Sequence, residues 1–307
     1  MTARPLGKDR CDCRHPSERM NDGDWDRLLT RVESGYCTPF LGAGACYGTL
    51  PLGGEIAKEW AEKDDYPLSD SHDLARVAQF VGVKSGDPMW PKEMIQGRLK
   101  NLGPPDFSSA GEPHALLAEL PLPIYMTTNY DDFMTRALVN NGRKARSDVC
   151  RWNRHPRLEA EPEVFQVDPD YSPTPEQPLV YHLHGRLDIL ESLVLTEDDY
   201  LDFLVAISRD DSLLPHPIQK ALAGSSLLFI GYRLADWDFR VLHRGLVMAG
   251  EQSLRRLSVT VQIPEHPEAN KYLDQYFGAM NVRVFWGTAA EFVHELRERW
   301  DTRKAGG

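Results

Sequence analysis

Four short stretches of this 307-residue chain end in residues able to hold a ligand or move a proton. Gly42-Ala43-Gly44 follows the apolar run at 37–41 and precedes a helical pattern at 51–63. Glycines let a backbone approach a phosphate, and a helix N-terminus offers free N–H groups and positive dipole. Thr128, Asn129 and Asp131 close the run Ile124-Tyr125-Met126-Thr127, placing an amide and a carboxylate where it stops. His184-Gly185 closes 179–183 with an imidazole, the side chain that most often exchanges protons near neutral pH. Gly231 closes 226–230, and Asp236 follows it. Each group also has a plainer use. Glycines serve tight turns, Thr128, Asn129 and Asp131 suit helix capping, and a histidine at a strand end can simply be hydrogen-bonded.

The elements that must position these groups are legible as periodicity. Trp25, Leu28, Leu29 and Val32 have helical spacing that ends at Gly35; Ile56, Ala57 and Trp60 mark one face of the helix at 51–63. A short helix is predicted at 114–120, and Phe133, Met134, Ala137 and Leu138 continue helically from Asp131. Leu193-Val194-Leu195 reads as a short strand, with Thr196 capping an acidic helical turn beyond it. Helices are expected at 218–222 and 236–247, strands at 257–263 and 282–286, and a closing helix at 289–300. Residues 140–178 read as irregular, and their basic residues (Arg143, Lys144, Arg146, Arg151, Arg154, Arg157) as a solvated loop or subunit contact, with a role near a phosphate as the alternative. Alternating strands and helices imply an α/β fold, a Rossmann-like, mostly parallel sheet with helices on both faces. Stripes at Leu74, Val77, Ala78, Val81 and at Met94, Ile95, Leu99 imply a small helical insertion over about 70–112, closing one side of the crevice. Residues 1–21 read as a mobile N-terminal tail and 22–307 as the ligand-binding domain.

Composition narrows the classes. The formal net charge of -11 opposes non-specific nucleic-acid binding. No apolar run approaches the roughly 20 residues of a membrane helix, and the first residues lack a signal-peptide pattern, so a cytoplasmic location is expected. Five cysteines are too few, and odd in number, for a disulfide framework. Cys11, Cys13 and His15 lack the second ligand pair of a closed zinc site, and no metal is expected.

Taken together and in this order, G-A-G, T-T-N-Y-D, H-G and the late glycine with Asp236 resemble the sirtuin-type NAD-binding fold, and specifically the SIR2-like proteins of bacterial anti-phage defence. The resemblance runs from about 37 to 247, and the helical insertion falls where that family places its smaller lobe. It implies that Gly42, Ala43 and Gly44 turn against the NAD phosphates. Asn129 matches the asparagine beside the nicotinamide ribose, Asp131 the acidic residue supporting the nicotinamide side with Thr128 beside it, and His184 the general base. Gly231 and Asp236 match the turn lining the adenosine side, although Tyr232 replaces the usual small polar residue. His182, two residues before His184, is expected on the opposite strand face in a structural role. A histidine near its ordinary pKa is expected at the catalytic position.

One departure bears on mechanism. Deacetylating sirtuins carry a four-cysteine zinc module after the catalytic histidine, and no cysteine follows Cys150 here. The resemblance therefore implies an NAD+ glycohydrolase that releases nicotinamide and ADP-ribose, an NAD-depleting effector. The alternative is a non-catalytic module that senses NAD or an ADP-ribose derivative. A classical dehydrogenase fits less well, because the glycine fingerprint is incomplete at Tyr47. With no further effector domain expected, the resemblance implies a separately encoded activating partner, ATPase/helicase-like or Argonaute-like, or assembly into a homo-oligomer.

Overall fold

The computed structural model describes residues 20–210, 212–233 and 256–306. Residues 1–19 of the predicted tail, with Cys11, Cys13 and His15, lie outside the described residues, as do Asp236 and the predicted helix at 236–247; Met20 is buried and Asn21 caps the first helix, so the tail's last two residues belong to the fold. In chain order the elements are α1 Asp22–Glu33, β1 Cys37–Leu41, a 3-10 turn Ala43–Cys46, α2 Gly53–Asp64, α3 Leu74–Ser85, α4 Trp90–Leu99, α5 Pro113–Glu119, β2 Ile124–Thr127 and α6 Phe133–Asn140. There follow β3 Arg146–Val149, α7 Pro156–Ala160, α8 Val164–Val167, β4 Leu179–His182, a 3-10 turn Leu190–Ser192, α9 Glu197–Arg209, α10 His216–Gly224, β5 Ser226–Ile230, β6 Ser258–Gln262, α11 Pro267–Gly278, β7 Val282–Trp286 and α12 Ala289–Gly306.

The seven strands form one sheet in the order β3-β4-β2-β1-β5-β6-β7, with every pairing parallel. β1 lies in the middle, and the chain builds first to one side of it and then, from β5, to the other. Ligands of open α/β sheets bind outside the carboxyl ends of strands at such a switch point. The carboxyl ends of β1, β2, β4 and β5 carry Gly42, Asn129, His184 and Gly231.

Both faces of the sheet are covered. Cys37, Leu41, Tyr125, Leu228 and Ile230 pack with Trp25, Leu117, Leu138 and Phe292 of α1, α5, α6 and α12. The alternate positions Phe40, Ile124, Met126, Leu227 and Phe229 pack with Phe203, Ile218 and Phe277 of α9, α10 and α11. Successive strand residues thus go to opposite faces, and the strands read as continuous apolar runs because both faces are buried. The helical lobe has its own core, where Ile56, Ala57 and Trp60 of α2 join Val77, Val81, Ile95 and Leu99 of α3 and α4. Buried Lys92 fastens the lobe to the rest, its Nζ 2.8 Å from the Leu193 carbonyl and 2.9 Å from Asp199.

Two sequence readings are corrected. Residues 193–195 are extended and buried but form no strand. Their backbone groups are served by the His184 carbonyl, Asp199, Lys92 and Tyr130 rather than by a ladder. The stretch 140–178 contains β3, an edge strand of sequence Arg-Ser-Asp-Val whose polar side chains hide it from an apolar search. Several of the nearby basic residues are held in place: Arg146 pairs with Asp168, Arg151 with Asp148 and Arg157 with Glu191. Among the described residues, no helix is long and apolar enough to cross a membrane.

Candidate active site

The turn after β1 is packed against the turn after β5. Gly42 donates its N–H to the Ile230 carbonyl and Gly44 donates to Gly231, both at 2.9 Å. Gly231 has φ +85°, and a Cβ there would lie 2.3 Å from Ala45 N and 2.6 Å from the Gly42 carbonyl oxygen. A Cβ on Gly44 would lie 2.9 Å from the Gly231 Cα. These glycines are therefore demanded by each other, backbone against backbone, before any ligand is considered. The N–H groups of Gly42, Gly44 and Ala45 are already engaged, which leaves less of the turn free for a phosphate than glycine spacing alone implies. The helix N-terminus beside the turn is that of the short 3-10 segment, since α2 begins only at Gly53.

β2 delivers Asn129 onto this turn. Asn129 Nδ2 donates to the Gly42 carbonyl at 3.1 Å and lies 3.3 Å from Cys46 Sγ, while its own N–H donates to Thr127 Oγ1 at 2.9 Å. Next to it, Thr128 Oγ1 is 3.0 Å from the Tyr232 hydroxyl, which also donates to the Leu41 carbonyl at 3.1 Å. Tyr232 thus bridges the ends of β5, β1 and β2, and its ring stands over Gly42. The departure from a small residue at 232 adds a built contact across the crevice.

Asp131 does two jobs. Its Oδ1 accepts the Phe133 N–H at 3.0 Å, as a residue opening α6 should, while Oδ2 lies 3.4 Å from Cys46 Sγ. Burial raises its carboxyl above the ordinary value, opposed by the charge of His114. Burial, then Asp131, raises the Cys46 thiol as well.

The two histidines at the end of β4 part company. Alternation cannot separate residues two apart, which share a face of a regular strand, so it is not strand alternation that sets His182 and His184 apart. What divides them is that β4 ends at His182 and Gly185 turns the chain with φ +84°. A Cβ on Gly185 would lie 2.3 Å from the Ser192 carbonyl oxygen, so the H-G pair is a steric requirement. His182 Nδ1 lies 3.3 Å from the Asn129 carbonyl oxygen. The His184 ring is wedged edge-on between Tyr200 at 5.3 Å and Phe203 at 5.0 Å, and its Nε2 is buried with no hydrogen-bond partner among the described residues. Burial lowers the pKa of His182 to about 4 and that of His184 to about 3. The near-ordinary basicity expected of His184 is therefore corrected, because desolvation penalises the imidazolium.

A family model described as a SIR2-like domain matches residues 123–285, more than half of the chain. The chain belongs to the SIR2-like family. This SIR2-like chain is 28% identical over 218 residues to an NAD(+) hydrolase ThsA of Cytobacillus dafuensis, covering 69% of this chain and 38% of that protein. It is 26% identical to the NAD(+) hydrolase ThsA of Enterococcus faecium, over 68% of this chain and 40% of that one. Against the protein of that name from Acinetobacter baumannii it is 24% identical, over 75% of this chain and 43% of that one. The SIR2-like chain thus spans about two fifths of the length of these relatives.

The fold gathers Gly42, Ala43, Gly44, Thr128, Asn129, Asp131 and Gly231 at one sheet edge, and brings His184 to the same edge in an aromatic slot. Sequence reasoning missed Tyr232 as a bridge, Cys46 as a neighbour of Asn129, and His114. The signal for Cys46 was its place directly after the glycine turn. His114 had none, because it lies on a buried helix.

Proposed function

We propose that this chain is an NAD+ glycohydrolase that cleaves NAD+ to nicotinamide and ADP-ribose. The observation that carries the reading is the Asn129 amide, hydrogen-bonded to the glycine turn of the neighbouring strand at the switch point, in a SIR2-like chain similar to proteins named NAD(+) hydrolase. The ribose lies against Asn129, the phosphates by Gly42–Gly44 and the adenosine toward Gly231, with Thr128 and Asp131 supporting the nicotinamide side.

Cleavage of the ribose–nicotinamide bond builds oxocarbenium-like charge at the anomeric carbon, as in glycoside hydrolysis. The bond's electron pair returns to the pyridinium nitrogen, so the leaving group departs neutral without a general acid. Water is held by the Asn129 side chain, which adds no charge. As its oxygen bonds to the anomeric carbon, its proton passes to His184 Nε2, which has no hydrogen-bond partner among the described residues. A neutral imidazole is the required form, and desolvation of the buried ring favours it. That same desolvation makes a poor base, since proton transfer works best with a pKa near the working pH. The dry slot between Tyr200 and Phe203 is thus a physical reason for low basal activity, and a partner protein or self-assembly that wets it raises His184's basicity. The reading is of an NAD-depleting, cytoplasmic effector of anti-phage defence.

The weakened base favours one second reading, a module that binds NAD or an ADP-ribose derivative without turnover. Calorimetric titration with NAD+, coupled to nicotinamide detection by chromatography, with and without neighbouring gene products, separates the two. Nicotinamide release that is lost in His184→Ala supports hydrolysis; saturable binding with no nicotinamide under any condition sinks it.

A further inference from the structure

Behind Asn129, three elements far apart in sequence bring a thiol, an imidazole and a carboxylate to one point. Cys46 follows the glycine turn, His114 lies in the first turn of α5 and Asp131 precedes α6. Cys46 Sγ is 3.9 Å from His114 Nε2 and 3.4 Å from Asp131 Oδ2, and the three potential ligand atoms lie within 4.8 Å of one another. Around a tetrahedral ion with bonds of about 2.0–2.3 Å, such atoms stand roughly 3.3–3.8 Å apart. Two of the separations are close to that range, and the third is no more than 4.8 Å.

The imidazole is already oriented for coordination. Its Nδ1 lies 2.6 Å from Glu112 Oε1, and both residues are buried. Glu112 is fixed in turn, its Oε2 accepting the Ala115 N–H at the start of α5. A carboxylate holding the Nδ1 proton leaves the Nε2 lone pair facing the sulfur, the arrangement that metal-binding histidines favour.

We propose that Cys46, His114 and Asp131 form a binding site for a thiophilic divalent cation of the zinc class, with Glu112 as the positioning residue for His114. Binding replaces the thiol proton by the metal–sulfur bond and releases that proton to solvent; no redox step is involved. The site is coupled to the crevice, because Asn129 Nδ2 shares the same sulfur. An ion there changes the partner of Asn129, and Zn2+ is expected to slow NAD+ cleavage.

The test needs no NAD+, so it stands or falls apart from the hydrolase reading. Co2+ is titrated into the full-length chain carrying Cys11→Ser and Cys13→Ser, which removes the other clustered cysteines. The expected result is a near-ultraviolet thiolate-to-cobalt absorption that saturates at one ion per chain and is displaced by Zn2+. In that background Cys46→Ser abolishes the band, and Glu112→Gln raises the Co2+ dissociation constant about 10–100-fold, as loss of an outer-shell carboxylate does. Far-ultraviolet circular dichroism checks the fold of each variant. Should Cys46→Ser misfold, the Glu112→Gln shift decides. A parent chain that gives no band, a band retained in folded Cys46→Ser, or an affinity unmoved by Glu112→Gln overturns the site.

Discussion

Asn129 and His184 follow the carboxyl ends of two neighbouring parallel strands, β2 and β4, yet their surroundings are opposite. Asn129 is hydrogen-bonded to Gly42, Cys46 and Thr127, in a partly exposed polar wall. His184 lies between two aromatic rings, and its Nε2 has no hydrogen-bond partner among the described residues. The amide is pre-positioned by bonds it has already made, at no cost when a ligand arrives. The imidazole is held by packing in a dry place, where its protonated form is penalised. One wall is hydrogen-bonded and partly exposed, and the other is aromatic and dry.

Removing each group in turn breaks the comparison most directly. His184→Ala is expected to lower nicotinamide release about 10²–10⁴-fold, the usual range for a positioned base, with His182→Ala staying within about tenfold. If the two variants exchange these effects, the base is His182. Asn129→Ala is expected to lose about 10²–10³-fold, comparable to loss of one preorganised polar group, with the pH profile of the remaining rate unchanged.

The dry placement also predicts how stability varies with pH. Both strand-end histidines have folded pKa values below the ordinary 6.5. The unfolded chain therefore binds protons that the folded chain refuses, and stability falls as pH drops below about 6.5. The loss continues to about pH 4 for His182 and about pH 3 for His184, at roughly 1.4 kcal/mol per pH unit for each ring. Asp131 works in the opposite sense, its raised carboxyl pKa letting the folded chain take up a proton first. Chemical denaturation across pH 4–7 reads the sum, and His184→Gln should flatten the slope.

Smaller effects sharpen the same contrast. Gly231→Ala places a Cβ against Ala45 and Gly42 at a positive φ and is expected to cost about 1–3 kcal/mol from backbone strain, seen as a lower thermal midpoint. Tyr200→Ser admits water beside His184 and should raise the basic pKa in the pH–rate profile by about one unit, a direct readout of desolvation. An unmoved profile means that the slot is not what weakens the base.

Much of this architecture was readable in the chain. β1, β2, β4 and β5 are runs of apolar residues because the sheet is buried on both faces, and each run stops at glycine or a polar cluster. Their order, and the groups at their ends, follow from local periodicity and turn chemistry alone. β3 was not readable, because an edge strand of Arg-Ser-Asp-Val has no apolar alternation to detect. Residues 193–195 misled for the converse reason: Leu193 and Leu195 are apolar to fill the lobe's core, while side chains satisfy their backbone.

What the amino-acid sequence determined by itself was the succession of strands, turns and helices and the identity of the groups at the crevice, all properties of neighbours along the chain. Only the tertiary structure decided their condition. Cys46 meets His114 across 68 residues and Asp131 across 85, Tyr232 reaches Thr128 across 104, and His184 enters a slot built by α9. Burial, basicity and ligand geometry depend on distances through space, and no local pattern carries them.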